Sequence, residues 1–282
     1  MSNLSPPSLV YVQGGFDDLR TIDIRFIQEA AKLGDVQILL YSDTVFQQVS
    51  KNELKFPFEE RRYYLENIRY VNRLLENENT DKNALPSKTL STGDSQPQVI
   101  WAVREEEHTV IKENFCHSKN IQYHIIPDKA LTGFPFEIPN LEKPSTDKKV
   151  MVSGCFDWVH TGHVRFFEEV SKYGDLFVVV GHDENLRFLK GEGHPLFFED
   201  ERLYWVQAIK FVKHAMISTG NGWLDAVPEI ERIKPDIFVV NKDGDVPEKR
   251  KYFKEMGIEY KILERKPKNS LQARVSTILR GF

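Results

Sequence analysis

Two histidines carry the first chemical signal. His160 and His163 stand three residues apart in the segment GCFDWVHTGH, Gly154 to His163. At the start of a helix this spacing lets both side chains project from one side. A helix N-terminus offers unpaired backbone N–H groups and partial positive charge, which favour phosphate. Two imidazoles added there suit an anion whose charge grows during reaction. Attack on the α-phosphate of a nucleoside triphosphate has that requirement. Gly154 lets the backbone turn sharply or approach a ligand closely.

The elements that must position these residues follow from the surrounding pattern. Lys149 to Ser153 reads as a short apolar strand. Val164 to Lys172 is amphipathic, and Gly174 stands where a helix end wants positive φ. Leu176 to Gly181 is a continuous apolar run, the signature of a strand buried on both faces of a parallel sheet. Residues 199 to 213 look helical, Ile237 to Val240 is a second buried strand, and Pro247 to Met256 is a charged helix. Tyr260 to Leu263 makes a last strand. Strand and helix alternate, which predicts an α/β fold with a doubly wound, Rossmann-like parallel sheet. Ligands of such sheets bind beyond the carboxyl ends of the strands, where GCFDWVHTGH begins.

The chain also repeats itself. Residues 10 to 43 and 150 to 183 share 13 identities in 34 positions at a constant offset of 140. Average residue usage gives about two by chance. The match resumes at 56–71 against 196–212 with one residue inserted, and at 97–103 against 235–241. Two tandem domains are expected, at 1–132 and 150–282, with a proline-bearing linker at 133–149. Residues 77 to 97 read as a long loop in the first copy.

Composition removes several classes. Of 282 residues, 40% are hydrophobic and 28% charged, which reads as globular rather than disordered. Net charge is −4, which argues against bulk nucleic-acid binding. No apolar run approaches a membrane span, and the first residues lack a basic, then apolar leader, so a cytoplasmic protein is expected. Two cysteines make neither a disulfide scaffold nor a thiolate zinc site, and Cys155 reads as a packing residue rather than a nucleophile. Trp223 reads as core, and the run Glu248 to Lys254 as a solvated helix face.

GCFDWVHTGH resembles the HxGH nucleotidyltransferase superfamily, and the cytidylyltransferases in particular. Residues 178 to 212 look like the stretch that follows HxGH in ethanolamine-phosphate cytidylyltransferases: an HxDE-like turn, a Lys-Gly, then an acidic-Glu-Arg helix start. Trp223 lies where glycerol-3-phosphate cytidylyltransferases often keep a tryptophan. Val275-Ser276-Thr277 is similar to the end of the family's R-x-x-G-x-S-T signature. The resemblance covers the second copy and, weakened, the first.

It implies the following roles. His160 and His163 would stabilise the pentacovalent transition state, and Lys190 would bridge phosphates of nucleotide and acceptor. Gly154, Cys155, Phe156 and Asp157 would line the nucleotide. Arg202 and Asp243 would contact it or order the site, and Arg274, Ser276 and Thr277 would hold its phosphates. No protein metal site is expected; Mg²⁺ would travel with the triphosphate. The implied reaction moves CMP from CTP to a phosphorylated small molecule, such as phosphoethanolamine or glycerol phosphate, with release of pyrophosphate. Adenylyl transfer from ATP, or nucleotide binding without turnover, are the alternatives. In the signature, Leu271 and Arg274 replace the usual arginine and glycine, which leaves the acceptor open.

The first copy departs further. Arg20, Ile22 and Asp23 occupy the places of His160, Gly162 and His163. A carboxylate there repels phosphate, so this copy is expected to be a degenerate partner, an internal imitation of the family's dimer.

Overall fold

The computed structural model describes residues 8–50, 53–89, 97–135, 148–269 and 271–279. The chain divides into two compact units, Met1–Gly133 and Phe134–Phe282. Each is a parallel sheet of five strands with helices between them.

The first unit runs β1 (Leu9–Gly14), α1 (Thr21–Ala31), β2 (Asp35–Tyr41), α2 (Asp43–Val49), α3 (Phe58–Leu65) and β3 (Arg73–Asn77). It continues with β4 (Val99–Arg104), α4 (Val110–Ser118) and β5 (Gln122–Ile126). The second runs β6 (Lys149–Gly154), α5 (Thr161–Val170), β7 (Asp175–Val180), α6 (Asp183–Lys190), α7 (Glu199–Gln207) and β8 (His214–Ile217). Then follow α8 (Val227–Ile233), β9 (Ile237–Asn241), α9 (Pro247–Glu255), β10 (Glu259–Leu263) and the short α10 (Ser276–Leu279).

The strand orders are β3-β2-β1-β4-β5 and β10-β9-β6-β7-β8, the same winding in both units. Even the register repeats: Leu9 faces Asp35 in the first unit, and Lys149 faces Asp175 in the second. The order reverses between β1 and β4, and between β6 and β9. That is where a doubly wound sheet leaves a crevice. The helix expected over 199–213 ends at Gln207, and residues 208–212 close it as a turn. Helices α6 and α8 and strand β8 lie where the sequence pattern is too short or too polar to show them.

The core explains the apolar runs. β7 is buried along Leu176–Val180, because α-helices cover both faces of its sheet. Phe238 of β9 stacks on Phe253 of α9 with ring centroids 4.2 Å apart. Among the described residues, no helix is long and apolar enough to cross a membrane.

Gly34 and Gly174 each close the turn into the second strand of their unit, with φ of +154° and +151°. A Cβ there would lie 2.2 Å from the Ser8 carbonyl oxygen and 2.0 Å from that of Lys148. Gly257 has φ of +68° but open space around it. Gly174→Ala should therefore cost about 2–4 kcal/mol of stability, through backbone clash plus strain. Gly257→Ala should cost about 1 kcal/mol, from φ alone. Denaturant unfolding of the two variants checks the ranking.

Candidate active site

The site grows from the sharp turn between β6 and α5. Phe156 turns it with φ of +50°, and its ring folds back over Gly154, where a Cβ would lie 2.9 Å from the ring. Asp157 is buried, and its Oδ1 accepts hydrogen bonds from the N–H groups of Leu196 (2.7 Å) and Phe197 (2.9 Å). His160 is the N-cap of α5 and is 3% exposed. Its Nδ1 accepts the Gly162 N–H at 3.0 Å, in place of the usual Ser or Asp oxygen. The His163 Nδ1 accepts the His160 N–H at 3.4 Å, and the two ring centroids are 4.1 Å apart. Gly162 is required by this packing, since a Cβ would lie 2.8 Å from the His160 ring.

Both imidazoles are neutral. Burial, then the charges of His163, Arg265 and Arg274, hold His160 well below the usual imidazole range. Burial and Arg265 push His163 down to about 3, against an opposing backbone hydrogen bond at Trp158. With both Nδ1 atoms accepting backbone N–H groups, each ring carries its proton on Nε2. The His160 Nε2 faces Ser276 Oγ at 3.2 Å. His160 is thus an oriented donor beside a helix N-terminus, and the His163 ring is bonded to the Trp158 backbone.

The remaining expected residues fall into three groups. Gly154, Cys155 and Phe156 lie on the turn, with Cys155 a free, half-buried thiol. Ser276 opens α10 against His160, and the Arg274 carbonyl accepts from Arg265 at 3.3 Å. The Thr277 side chain lies outside the described residues. Lys190 ends α6, exposed, with its charge reaching His163. Asp243 is exposed and paired with Arg265 at 2.8 Å, so it orients that arginine. A pocket beside the first turn of α5 is lined by Arg165, Arg265, Lys266, Lys268 and Arg274 against Glu169 and Glu264.

Arg202 takes the ordering role of its two expected ones, Asp157 ties two loops, and the reading of Trp223 as core is corrected. Arg202 is fully buried, and its guanidinium donates to the carbonyls of Phe197 (2.9 Å), Cys155 (2.6 Å) and Gly181 (2.7 Å) and to Asp183 Oδ1 (2.8 Å). All three of its nitrogens are bonded to protein groups, and it ties three loops together. Asp157 pins residues 196–197 to the turn through its Oδ1. Trp223, read as core, is 53% exposed. It sits on a loop joined to α6 by Asn185, which exchanges two hydrogen bonds with Gly222.

The first unit keeps the ties and has Arg20 and Asp23 in the places of the two histidines. Asp17 accepts from the Lys55 and Phe56 N–H groups, as Asp157 does from 196 and 197. Arg61 donates to Phe56 O, Gly15 O and Asp43, as Arg202 does. Asp23, in the place of His163, accepts the Arg20 N–H and pairs with Arg104. Tyr41, in the place of Gly181, clusters with Val45 and Phe46 over the strand ends. Phe46 lies where a Cβ on Gly15 would meet it at 2.4 Å.

Among the described residues, no group of three or more His, Cys, Asp or Glu side chains could hold a metal ion.

The buried neutral imidazoles make a pH prediction. Their folded pKa values are lowered below the unfolded value of about 6.5. The unfolded chain then binds more protons, so their contribution is full above that pH and is lost as pH falls toward about 3. The double variant His160→Gln/His163→Gln should lose stability less steeply than the wild type between pH 6.5 and 4. Equal slopes in denaturant unfolding would contradict the assignment.

Comparison with known proteins fits this geometry. Residues 151–278 match the family model described as cytidylyltransferase-like. An FAD synthase of Ferroglobus placidus (strain DSM 10642 / AEDII12DO) is 34% identical over 128 residues, covering 44% of this chain and 80% of that protein. The bifunctional protein HldE of Aliarcobacter butzleri (strain RM4018) is 29% identical over 153 residues, 54% of this chain but 30% of its own length. Among solved structures, a lipopolysaccharide core biosynthesis protein from Thermoplasma volcanium GSS1 shares 29% identity with a TM-score of 0.37, covering 43% of this chain and 98% of that one. By its matched residues and its HxGH turn, the chain belongs to the cytidylyltransferase-like family of HxGH nucleotidyltransferases.

Proposed function

We propose that the second unit transfers a nucleoside monophosphate from a nucleoside triphosphate to a phosphorylated small molecule and releases pyrophosphate. The observation that carries this reading is the pair of neutral imidazoles at the helix start, each with Nδ1 occupied by a backbone N–H, and His160 with its Nε2 turned to Ser276 Oγ. An acceptor phosphate oxygen attacks the α-phosphorus, and a new P–O bond forms. The bond from the α-phosphorus to the bridging oxygen breaks, and pyrophosphate leaves with that electron pair. Charge grows on the oxygens around the α-phosphorus, which is where donors at the α5 N-terminus help most. A phosphate monoester is already ionised near pH 7, so the attack needs no protein base.

Among the described residues no group of three or more His, Cys, Asp or Glu could hold a divalent cation; a Mg²⁺ would be held by triphosphate oxygens. For the nucleotide, the FAD synthase relative favours ATP, because FAD carries an adenylyl half. CTP is the second reading, favoured by the likeness of residues 178–212 to ethanolamine-phosphate cytidylyltransferases. The first unit is proposed to be inactive, since Asp23 and Tyr41 occupy the places of His163 and Gly181.

Pyrophosphate release by the full chain, with ATP or CTP and a panel of phosphate esters, tests this. His160→Ala or His163→Ala should each lower turnover about 10²-fold, the scale for one lost transition-state donor. Near-normal rates in both variants would remove the histidines from the reaction.

A further inference from the structure

In both units the segment after the last strand docks on the first helix, and the two dockings differ. Arg25 of α1 and Arg165 of α5 are equivalent at the offset of 140, as are Gln28 and Glu168, and Glu29 and Glu169. In the first unit Arg25 is buried, and its guanidinium donates to Gln28 Oε1 (2.5 Å), Glu29 Oε1 (2.9 Å) and the Ala130 carbonyl (2.6 Å). Ala130 lies in the turn Asp128–Leu131 after β5, and Leu131 is buried. The chain there lies directly on α1.

The second unit holds its segment at arm's length. Arg165 donates to Glu168 Oε2 (2.9 Å) and Glu169 Oε1 (2.5 Å). Glu168 Oε1, the other oxygen, accepts from Lys268 Nζ at 2.6 Å. Lys268 belongs to the strap, residues 264–269 and 271–275, that joins β10 to α10. Its long stem spans what a backbone carbonyl meets directly in the first unit. Gln28 satisfies its arginine but has no charge to hold a lysine, whereas Glu168 serves both cations at once. Between α5 and the strap lies the pocket, with Arg165, Phe166 and Glu169 on one side and Lys268, Leu271 and Arg274 on the other.

Every described residue of the strap is exposed or half-buried, so polar ties rather than apolar packing hold it. Arg265 pairs with Asp243 at 2.8 Å and Lys242 with Glu264 at 3.4 Å, which fixes its start. Its end meets the HxGH turn. The Arg274 carbonyl would lie 3.7 Å from a Cβ on Gly162, and Ser276 Oγ lies 3.2 Å from His160 Nε2. Lys268 ties the middle.

We propose that Glu168 and Lys268 are positioning residues: their ion pair latches the strap onto α5 and so sets where Arg274 and Ser276 stand against the α5 N-terminus. The effect on nucleotide rests on the transfer reaction proposed above; the latch itself does not. A lifted strap takes Ser276 away from His160 and Arg274 away from the pocket. Nucleotide affinity then falls with the docked fraction. A partly exposed, charge-assisted pair shifts such an equilibrium about three- to fivefold.

Amide hydrogen exchange of residues 271–276 and titration calorimetry with a non-hydrolysable ATP or CTP analogue, both on the full chain, test this. Glu168→Gln, which installs the residue of the first unit, and Lys268→Met should each speed exchange and weaken the analogue about three- to fivefold. The double variant should be no weaker than the weaker single one, and Lys268→Arg should restore the wild-type Kd. In about 1 M salt, where charges are screened beyond about 3 Å, wild type and variants should converge. Wild-type exchange rates in both single variants overturn the latch. Faster exchange with unchanged affinity, additive losses, or no rescue by arginine overturn its role in the site. A wild type that binds neither analogue, with the strap loosened in both variants, contradicts the transfer reaction and leaves the latch standing.

Discussion

The buried guanidinium of Arg202 is the constraint on which the rest of the second unit depends. It lies beneath the carboxyl ends of the strands and donates to the carbonyls of Cys155, Gly181 and Phe197 and to Asp183. Those groups belong to the loops after β6 and β7 and to the approach to α7. Without the arginine, three inward carbonyls and a carboxylate would lose their partner in a place water reaches poorly, an error worth about 3–5 kcal/mol. The turn that aims His160 and His163 is therefore fixed from below, before any ligand arrives. Asp157 adds a second tie, from the same turn to residues 196–197.

The two units separate scaffold from chemistry. Arg61 and Asp17 repeat both ties in the first unit, and Phe16 repeats the positive φ of Phe156 at +46°. What changes is the surface those ties support. Ile22 stands where Gly162 must yield to a histidine ring, and Asp23 closes the helix start with a carboxylate paired to Arg104. Tyr41 and Phe46 bury the strand ends. One folding solution thus appears twice, once open over the strand ends with neutral donors, once packed shut.

Much of this was legible in the sequence because it rests on local pattern. The runs at Leu176–Gly181 and Ile237–Val240, the glycine at 174 and the spacing of His160 and His163 all carry their meaning within ten residues. Fold-forming residues recur at a fixed offset in the sequence, and the same strand winding recurs in both units. Long-range roles were not legible. Arg202 and Asp157 look like ligand contacts in a motif, and only the packed loops show them bonded to the protein. α6 and α8 were invisible because eight or fewer residues give too little periodicity.

The central claim is that one unit of the two holds a nucleotide, and that it does so at the α5 N-terminus. Calorimetric stoichiometry tests it most directly, using the full chain, a non-hydrolysable ATP or CTP analogue, and the variant Gly162→Ile. That substitution gives the second unit the residue of the first and drives a side chain into the His160 ring. The account predicts one nucleotide per wild-type chain and none in the variant. Two nucleotides per chain, or undiminished binding in Gly162→Ile, would contradict it.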